Sequence, residues 1–168
     1  MNFIGRLQKL GREVKWPKTG ALPPGRAAAV VAPLVIPSWE SGLEEASLLY
    51  ILRAGHLKKH AGQIAFPGGA AEQQDPDLLS TGFREGLEEV GLRREESKFL
   101  AELPLTYTPS GFVLKPFFVA TTQLDFTAQE DEVEQFFFIP LGEHNTCNVR
   151  YETRVWQGIR YRVEYFYT

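Results

Sequence analysis

Apolar residues in this chain gather in short blocks separated by turn-forming clusters. Ala27–Ile36 reads as a buried strand, with Pro33 pointing to a sheet edge or a bulge. Ser47–Arg53 (SLLYILR) reads as a second strand and Ile64–Phe66 as a short third. Residues 54–63 (AGHLKKHAGQ) between them form a basic loop, and residues 67–77 a further loop. The period then changes. Leu78–Val90 predicts a helix closed by Gly91. Phe99–Leu105 and Phe112–Thr122 read as strands around a TYTPSG loop, and Gln135–Ile139 (QFFFI) as another buried strand. Thr153–Trp156 and Ile159–Tyr167 predict a hairpin around Gln157-Gly158. At the start of the chain, Phe3, Ile4, Leu7, Leu10 and Val14 share one face of a short amphipathic helix expected to pack on the domain. A proline-rich connector follows over residues 15–26. The expected organisation is a helix and connector over 1–26 and a folded domain over 27–168. Many strands with one or two helices predict a mixed α/β (α+β) domain.

The helix carries the first chemical signal. Successive side chains rotate by ~100°, so Leu79, Phe83, Leu87 and Val90 share the side expected to be buried. Glu85, Glu88 and Glu89 cluster nearly opposite, at i, i+3 and i+4. Like charges on adjacent turns repel, and these lie where the helix dipole is already negative. Arg84 supplies one compensating charge, four residues before Glu88. A hard divalent cation such as Mg²⁺ or Mn²⁺ would supply more. A solvated acidic face, with Arg93, Arg94 and Lys98 nearby, is the alternative the helix leaves open. Gly82 and Gly86 each cost ~1 kcal/mol relative to Ala in a helix. They sit on the shoulder between the two faces and would let another backbone approach, the candidate being the loop with Pro67-Gly68-Gly69.

Composition narrows the class without choosing a reaction. Apolar residues are 43% and charged residues 23% of 168, which excludes disorder, collagen and a coiled coil. Eighteen Lys and Arg against 21 Asp and Glu leave a net charge of −3. No global basic field concentrates such a chain on nucleic acid or anionic lipid, so neither partner is expected. No apolar run reaches the ~18–20 residues that span a bilayer. Arg6, Lys9 and Arg12 interrupt the N-terminal apolar residues, so no secretory signal core is expected there. Cys147 is the single cysteine and cannot form an internal disulfide; a reducing, cytoplasmic location is expected. His56 stands four residues before His60, but with no Cys or further His at ligand spacing to complete a set, a zinc site is not expected.

The stretch FPGGAAEQQDPDLLSTGFREGLEEVGL resembles the Nudix hydrolase box, G-x5-E-x7-R-E-U-x-E-E-x-G-U, where U is bulky and apolar. Gly69 takes the first glycine, and Arg84, Glu85, Glu88, Glu89, Gly91 and Leu92 match the second half in order and spacing. Asp75 stands where the first glutamate belongs, with one extra residue before Arg84, and Gly86 replaces the apolar residue after Arg-Glu. Upstream, LLYILRAGHLKKHAGQIAFPGG resembles the signature preceding the box in the coenzyme A pyrophosphatase branch. Leu49, Arg53, Leu57, His60, Gly62, Gln63, Phe66, Pro67, Gly68 and Gly69 match it, and Ile51 replaces a threonine. That branch also carries an extra residue in its box. Thr108-Pro109-Ser110-Gly111-Phe112 and Asp131-Glu132-Val133 look like the same branch.

The resemblance implies a Nudix fold, a mixed β-sheet flanked by helices as an α/β/α sandwich. The family's usual C-terminal helix is absent before Thr168. Cover for that sheet face is then expected from the N-terminal helix or from a second subunit in a homodimer, unless the chain is truncated. The implied activity is metal-dependent hydrolysis of a pyrophosphate bond in coenzyme A or its derivatives, giving 4′-phosphopantetheine and adenosine 3′,5′-bisphosphate. By resemblance Glu85, Glu88, Glu89 and the carbonyl of Gly69 hold Mg²⁺ or Mn²⁺. Arg84 orients the carboxylates, and Glu132 is the candidate general base, with Glu130 and Asp131 beside it. Arg53, His60, Gln63, Phe66, Pro67 and Gly68 are expected at the small-molecule substrate, with His56, Lys58 and Lys59 near its phosphates. The alternatives are a Nudix pyrophosphatase for another nucleoside diphosphate derivative (NADH, ADP-ribose) and a Nudix-like binding module without turnover.

Overall fold

The computed structural model describes residues 5–9, 24–108, 110–145, 148–156 and 159–167. The strands are β1 (Arg26–Val35), β2 (Ser47–Arg53), β3 (Ile64–Ala65), β4 (Gly68–Ala70), β5 (Ser97–Glu102), β6 (Thr106–Tyr107), β7 (Phe112–Thr121), β8 (Val133–Pro140), β9 (Asn148–Trp156) and β10 (Ile159–Tyr167). One α-helix, α1 (Leu78–Val90), lies among them.

β1 organises the main sheet of eight strands. Its whole length pairs parallel with β7, from Arg26↔Phe112 to Val35↔Thr121. On its other flank β1 meets two partners in turn. Ala28–Val30 pairs antiparallel with β4, and Leu34 and Val35 pair with the start of β2. Beyond that short contact β1 and β2 splay apart, and the segment 64–70 fills the gap, with β3 on β2 and β4 on β1. β8 covers the far side of β2, and β5 forms the opposite edge against β7. This is the mixed α+β sheet expected for the fold class.

Strand alternation sorts the core into two faces. Ala29, Val31, Leu49, Ile51, Phe117 and Val119 form one cluster with Phe83, Val90 and Leu92 from and just after α1. The intervening residues Leu34, Leu48, Phe118 and Ala120 face the other way, with Ile36 and Leu100. Leu7, within the helical residues 5–9, packs on that second cluster, and Gln8 Nε2 donates to Phe99 O at 2.8 Å. Of the predicted N-terminal face, Phe3, Ile4, Leu10 and Val14 lie outside the described residues. No helix among the described residues is long and apolar enough to cross a membrane.

Several local expectations are corrected. Pro33 is neither at an edge nor in a bulge. β1 is central, and Pro33 falls where its flank passes from β4 to β2, between the residues those two strands pair. Gly68–Ala70 lies in a stretch expected as loop but forms β4. The block Phe99–Leu105 divides into β5 and the start of a turn before β6. β8 is not a buried strand: only Val133 is fully buried and Phe138 is 41% exposed. The hairpin forms, with Ile159 opposite Trp156, as a separate two-stranded sheet; Gln157 and Gly158 lie outside the described residues.

Candidate active site

α1 begins where expected, with the Asp77 carboxylate accepting the Ser80 N–H at 2.7 Å as an N-cap. It ends at Gly91, whose φ of 71° is the left-handed cap that a glycine adopts without a Cβ penalty. Its orientation departs from the expected one. The seam against the sheet is centred on the glycines, not beside them. A Cβ on Gly82 would lie 2.9 Å from Val31 Cγ1, and one on Gly86 3.3 Å from Val31 Cγ2. The backbone brought close is therefore β1 rather than the loop at Pro67-Gly68-Gly69. Measured from Gly86 at ~100° per residue, Glu89 lies about 60° away and Leu87 about 100° on the other side. Glu89 is consequently buried, at 2% exposure, while Leu87, expected in the core, is 55% exposed. The absent side chains at 82 and 86 let the helix sit low enough to push a glutamate under its edge.

That edge meets the β3–β4 segment. Gly68 N–H donates to Glu89 Oε2 at 2.8 Å, and Arg53 Nη1 donates to Oε1 at 3.0 Å. Gly68 needs to be glycine: at φ 153° an added Cβ would lie 2.2 Å from Ala29 O and 2.5 Å from Val30 Cα. Gly69 has a different constraint. Its Cβ would lie 2.4 Å from Glu85 Cδ, so the Glu85 carboxylate rests directly against the Gly69 backbone.

Arg84 gathers the remaining acids. Its Nε and Nη2 grip both oxygens of Asp75 at 3.0 and 3.2 Å. Nη2 also reaches Glu85 Oε1 and Ala70 O, each at 3.0 Å, and Nη1 reaches Glu88 Oε2 at 3.1 Å. Asp75, the residue in the box's first acidic position, is thus the anchor of the arginine, and it also accepts Thr81 Oγ1–H at 2.9 Å and Glu72 N–H at 2.9 Å. Hydrogen bonding to Arg84 holds its carboxyl well below the usual carboxylate range. The shorter Asp side chain, combined with the extra residue before Arg84, still closes this forked pair.

The loop after β7 brings in the last acid. Thr127 N–H and Gln129 N–H cap the end of α1, donating to Val90 O at 3.1 Å and Glu89 O at 2.9 Å. Ala54 N–H holds Glu132 O at 2.9 Å. Glu132 thereby stands close enough to repel both Glu85 and Glu89. Burial raises the Glu89 carboxyl to about 7; Gly68 N–H and Arg53 oppose that rise, and Glu85 and Glu132 add to it. Burial also raises Glu85, against Arg84 and with help from Glu88 and Glu132.

The predicted residues are therefore largely brought together. Gly69, Glu85, Glu88, Glu89, Arg84 and Glu132 share one region, and Gly68 joins it through its N–H to Glu89, whereas Phe66 stacks on Tyr50 at 4.6 Å and Pro67 O accepts the Val31 N–H. Arg53, expected at the substrate, is instead engaged by Glu89 through Nη1, and its buried Nε has no partner. His60 and Gln63 bond to each other at 3.0 Å in the exposed loop, where His56, Lys58 and Lys59 are also exposed. Ile51, the residue in place of a threonine, is fully buried in the core facing α1. The sequence did not reveal the Arg53–Glu89 pair or the Gly68 N–H donor, because both depend on how the 64–70 segment enters the sheet.

Among the described residues, no three His, Cys, Asp or Glu side chains converge on a point that would hold an ion. The acids are drawn onto Arg53 and Arg84 instead. The donor set nevertheless fits a hard divalent cation. Glu85, Glu88, Glu89 and Glu132 all supply oxygen, and burial together with neighbouring acids disfavours the charge of Glu85 and Glu89. The backbone at Gly69 approaches Glu85 more closely than any side chain would allow.

A NUDIX domain model matches residues 31–157, and the chain belongs to the Nudix family. It is 39% identical over 119 residues to the uncharacterized Nudix hydrolase NudL of Pectobacterium atrosepticum, covering 70% of this chain and 59% of that protein. With NudL of Citrobacter koseri the identity is 35% over 143 residues, covering 84% and 69%. The chain thus spans 59% of the length of the first of these relatives. Among solved structures, a NUDIX hydrolase from Nitrosomonas europaea matches with a TM-score of 0.55 at 17% identity, covering 73% of this chain and 61% of that one. The NUDIX domain of Shewanella oneidensis NrtR, complexed with ADP ribose, matches with a TM-score of 0.55 at 15% identity, covering 74% and 79%. These likenesses confirm the Nudix fold.

Proposed function

We propose that this chain hydrolyses the pyrophosphate bond of coenzyme A or a coenzyme A derivative, with Mg²⁺ or Mn²⁺, to 4′-phosphopantetheine and adenosine 3′,5′-bisphosphate. The observation that carries the hydrolase reading is the acid-rich pocket wall. Glu85 and Glu89 lie against the Gly68-Gly69 backbone with burial raising both, Glu132 stands close enough to repel both, and Glu88 adjoins them through Arg84. A site that repels its own charge suits a cation bridging it to a polyanionic substrate. Glu85, Glu88, Glu89 and the Gly69 carbonyl would hold the ion. When bound it supplies charge to the phosphate oxygens and acidifies a water. Arg84, fixed by Asp75, orients Glu85 and Glu88. Glu132 accepts the proton of the attacking water at its carboxylate. Phe66, Pro67 and Gly68 form the substrate-side wall, and Arg53 holds Glu89 in register.

The choice of coenzyme A rests on the 48–69 signature. One observation favours a second reading, hydrolysis of another nucleoside diphosphate derivative such as ADP-ribose or NADH. Arg53, His60 and Gln63, polar residues of that signature, are all bonded within the chain. The Shewanella NrtR domain shows that ADP ribose can be bound on this fold. Incubation with coenzyme A, ADP-ribose and NADH in millimolar Mg²⁺ or Mn²⁺, with products identified by mass spectrometry, tests both. Chelator-sensitive release of 4′-phosphopantetheine supports the first reading. Turnover confined to ADP-ribose or NADH supports the second, and binding without product refutes both in favour of a binding module.

A further inference from the structure

His60 is the one described non-glycine residue with a positive φ, 55°. A Cβ is crowded in that region, so neighbouring contacts must hold it there. Two do. His60 Nδ1 lies 3.0 Å from Gln63 Oε1, and Nε2 lies 3.1 Å from Ser110 Oγ, across fifty residues of chain. With an amide oxygen facing it, Nδ1–H donates to Gln63 and Nε2 accepts from the Ser110 hydroxyl.

The Ser110 side is firm. Ser110 Oγ lies 2.9 Å from Thr108 Oγ1, which accepts the Phe112 N–H at 3.1 Å. Gly111 N–H donates to Thr108 O at 2.9 Å, and Gly111 O accepts the Arg26 N–H at 3.0 Å, tying the turn to the start of β1. The loop side is not firm. Gly55, His56 and residues 58–62 are exposed. Its ends are held by Arg53 N–H to Gln63 O and Gly62 N–H to Arg53 O, both at 3.0 Å, and by Ala54 N–H to Glu132 O. Those ends belong to the acid site, since Arg53 holds Glu89 and Glu132 repels Glu85 and Glu89.

We propose that His60 and Ser110 form a latch that clamps the 54–63 loop to the 108–112 turn. The latch fixes the loop that carries Lys58 and Lys59 and whose ends join the carboxylate site. His60 and Ser110 are positioning residues, and the function of the latch rests on the reading that the loop faces an anionic diphosphate substrate. The latch makes His60 and Gln63 internal braces rather than substrate contacts.

Trypsin cuts after Lys58 and Lys59 only when the loop opens locally. Ser110→Ala removes the bond without altering the loop. Loss of one such hydrogen bond predicts roughly threefold to tenfold faster cutting in the metal-free full chain. His60→Asn should accelerate cutting to a similar degree, the double variant should add little, and Ser110→Thr should restore the wild-type rate. With coenzyme A or ADP-ribose as probe, Ser110→Ala should raise KM by a similar factor and leave kcat unchanged. Cutting of Ser110→Ala within twofold of wild type overturns the latch, whatever the turnover. Faster cutting with unchanged KM overturns its role in substrate positioning. Absence of wild-type turnover overturns the hydrolase reading and leaves the cutting result to decide the latch.

Discussion

Replacing Glu89 with Gln separates the electrostatic cost of the site from its shape. Burial holds this carboxyl at about 7, against an ordinary value of 4.5. A raised folded-state value means that the folded chain keeps the proton more tightly between those limits. The stabilising contribution of Glu89 is therefore full below about pH 4.5 and is lost as pH rises through about 7. Moving from about pH 5 to about pH 8.5 then costs the wild type about 2.5 kcal/mol through this one group. Glu89→Gln carries no such dependence. Its amide opposes either the Gly68 N–H or the Arg53 guanidinium with a donor, a penalty of roughly 1.5–3 kcal/mol that is the same at both pH values. The stability of the variant relative to wild type should thus improve by about 2.5 kcal/mol between the two conditions. Urea unfolding in chelator at both pH values measures this difference. A relative stability that stays constant to within about 0.5 kcal/mol would refute the account of Glu89 as a buried, strained carboxylate.

Gly68→Ala places a methyl against the Ala29 carbonyl and Val30 Cα, which no flexible side chain can relieve. It should destabilise the fold by about 3 kcal/mol, visible as a lower Tm. Gly69→Ala meets only the end of the Glu85 side chain. Its Tm should stay near wild type, while displacement of Glu85 should weaken Mn²⁺ binding at least tenfold in calorimetric titration. Because Glu89 is protonated below about 7, metal uptake near pH 6 should release protons. Titrations in two buffers of different ionisation enthalpy would then give different apparent heats, and equal heats would count against Glu89 as a ligand.

The elements with strong local signals were legible in the sequence. β2 spans Ser47–Arg53 as its apolar block indicates, and α1 spans Leu78–Val90, where helical periodicity and the closing Gly91 agree. β4 was not legible, because Gly68-Gly69 has no strand preference of its own and becomes a strand only by entering the gap between β1 and β2. The helix face was misjudged for a related reason. A wheel centred on Leu79, Phe83 and Leu87 follows the large side chains, whereas the packing seam follows the missing ones at Gly82 and Gly86. That shift of the seam buries Glu89 and exposes Leu87. The order of box acids named the site, but the partners of Arg53 and Asp75 were set by tertiary placement. Asp75 could be found from its box position, and Arg53–Glu89 had no local signature.

The most direct test of the central claim, that the acids around Glu85 and Glu89 are built to hold a divalent cation, is a Mn²⁺ titration followed by electron paramagnetic resonance. Wild type, Glu85→Gln and the exposed control Glu95→Gln would be compared at one pH above 7. Tight binding in wild type and the control, with loss in Glu85→Gln, is the predicted result. Equal binding in all three would place the cation elsewhere and contradict the account.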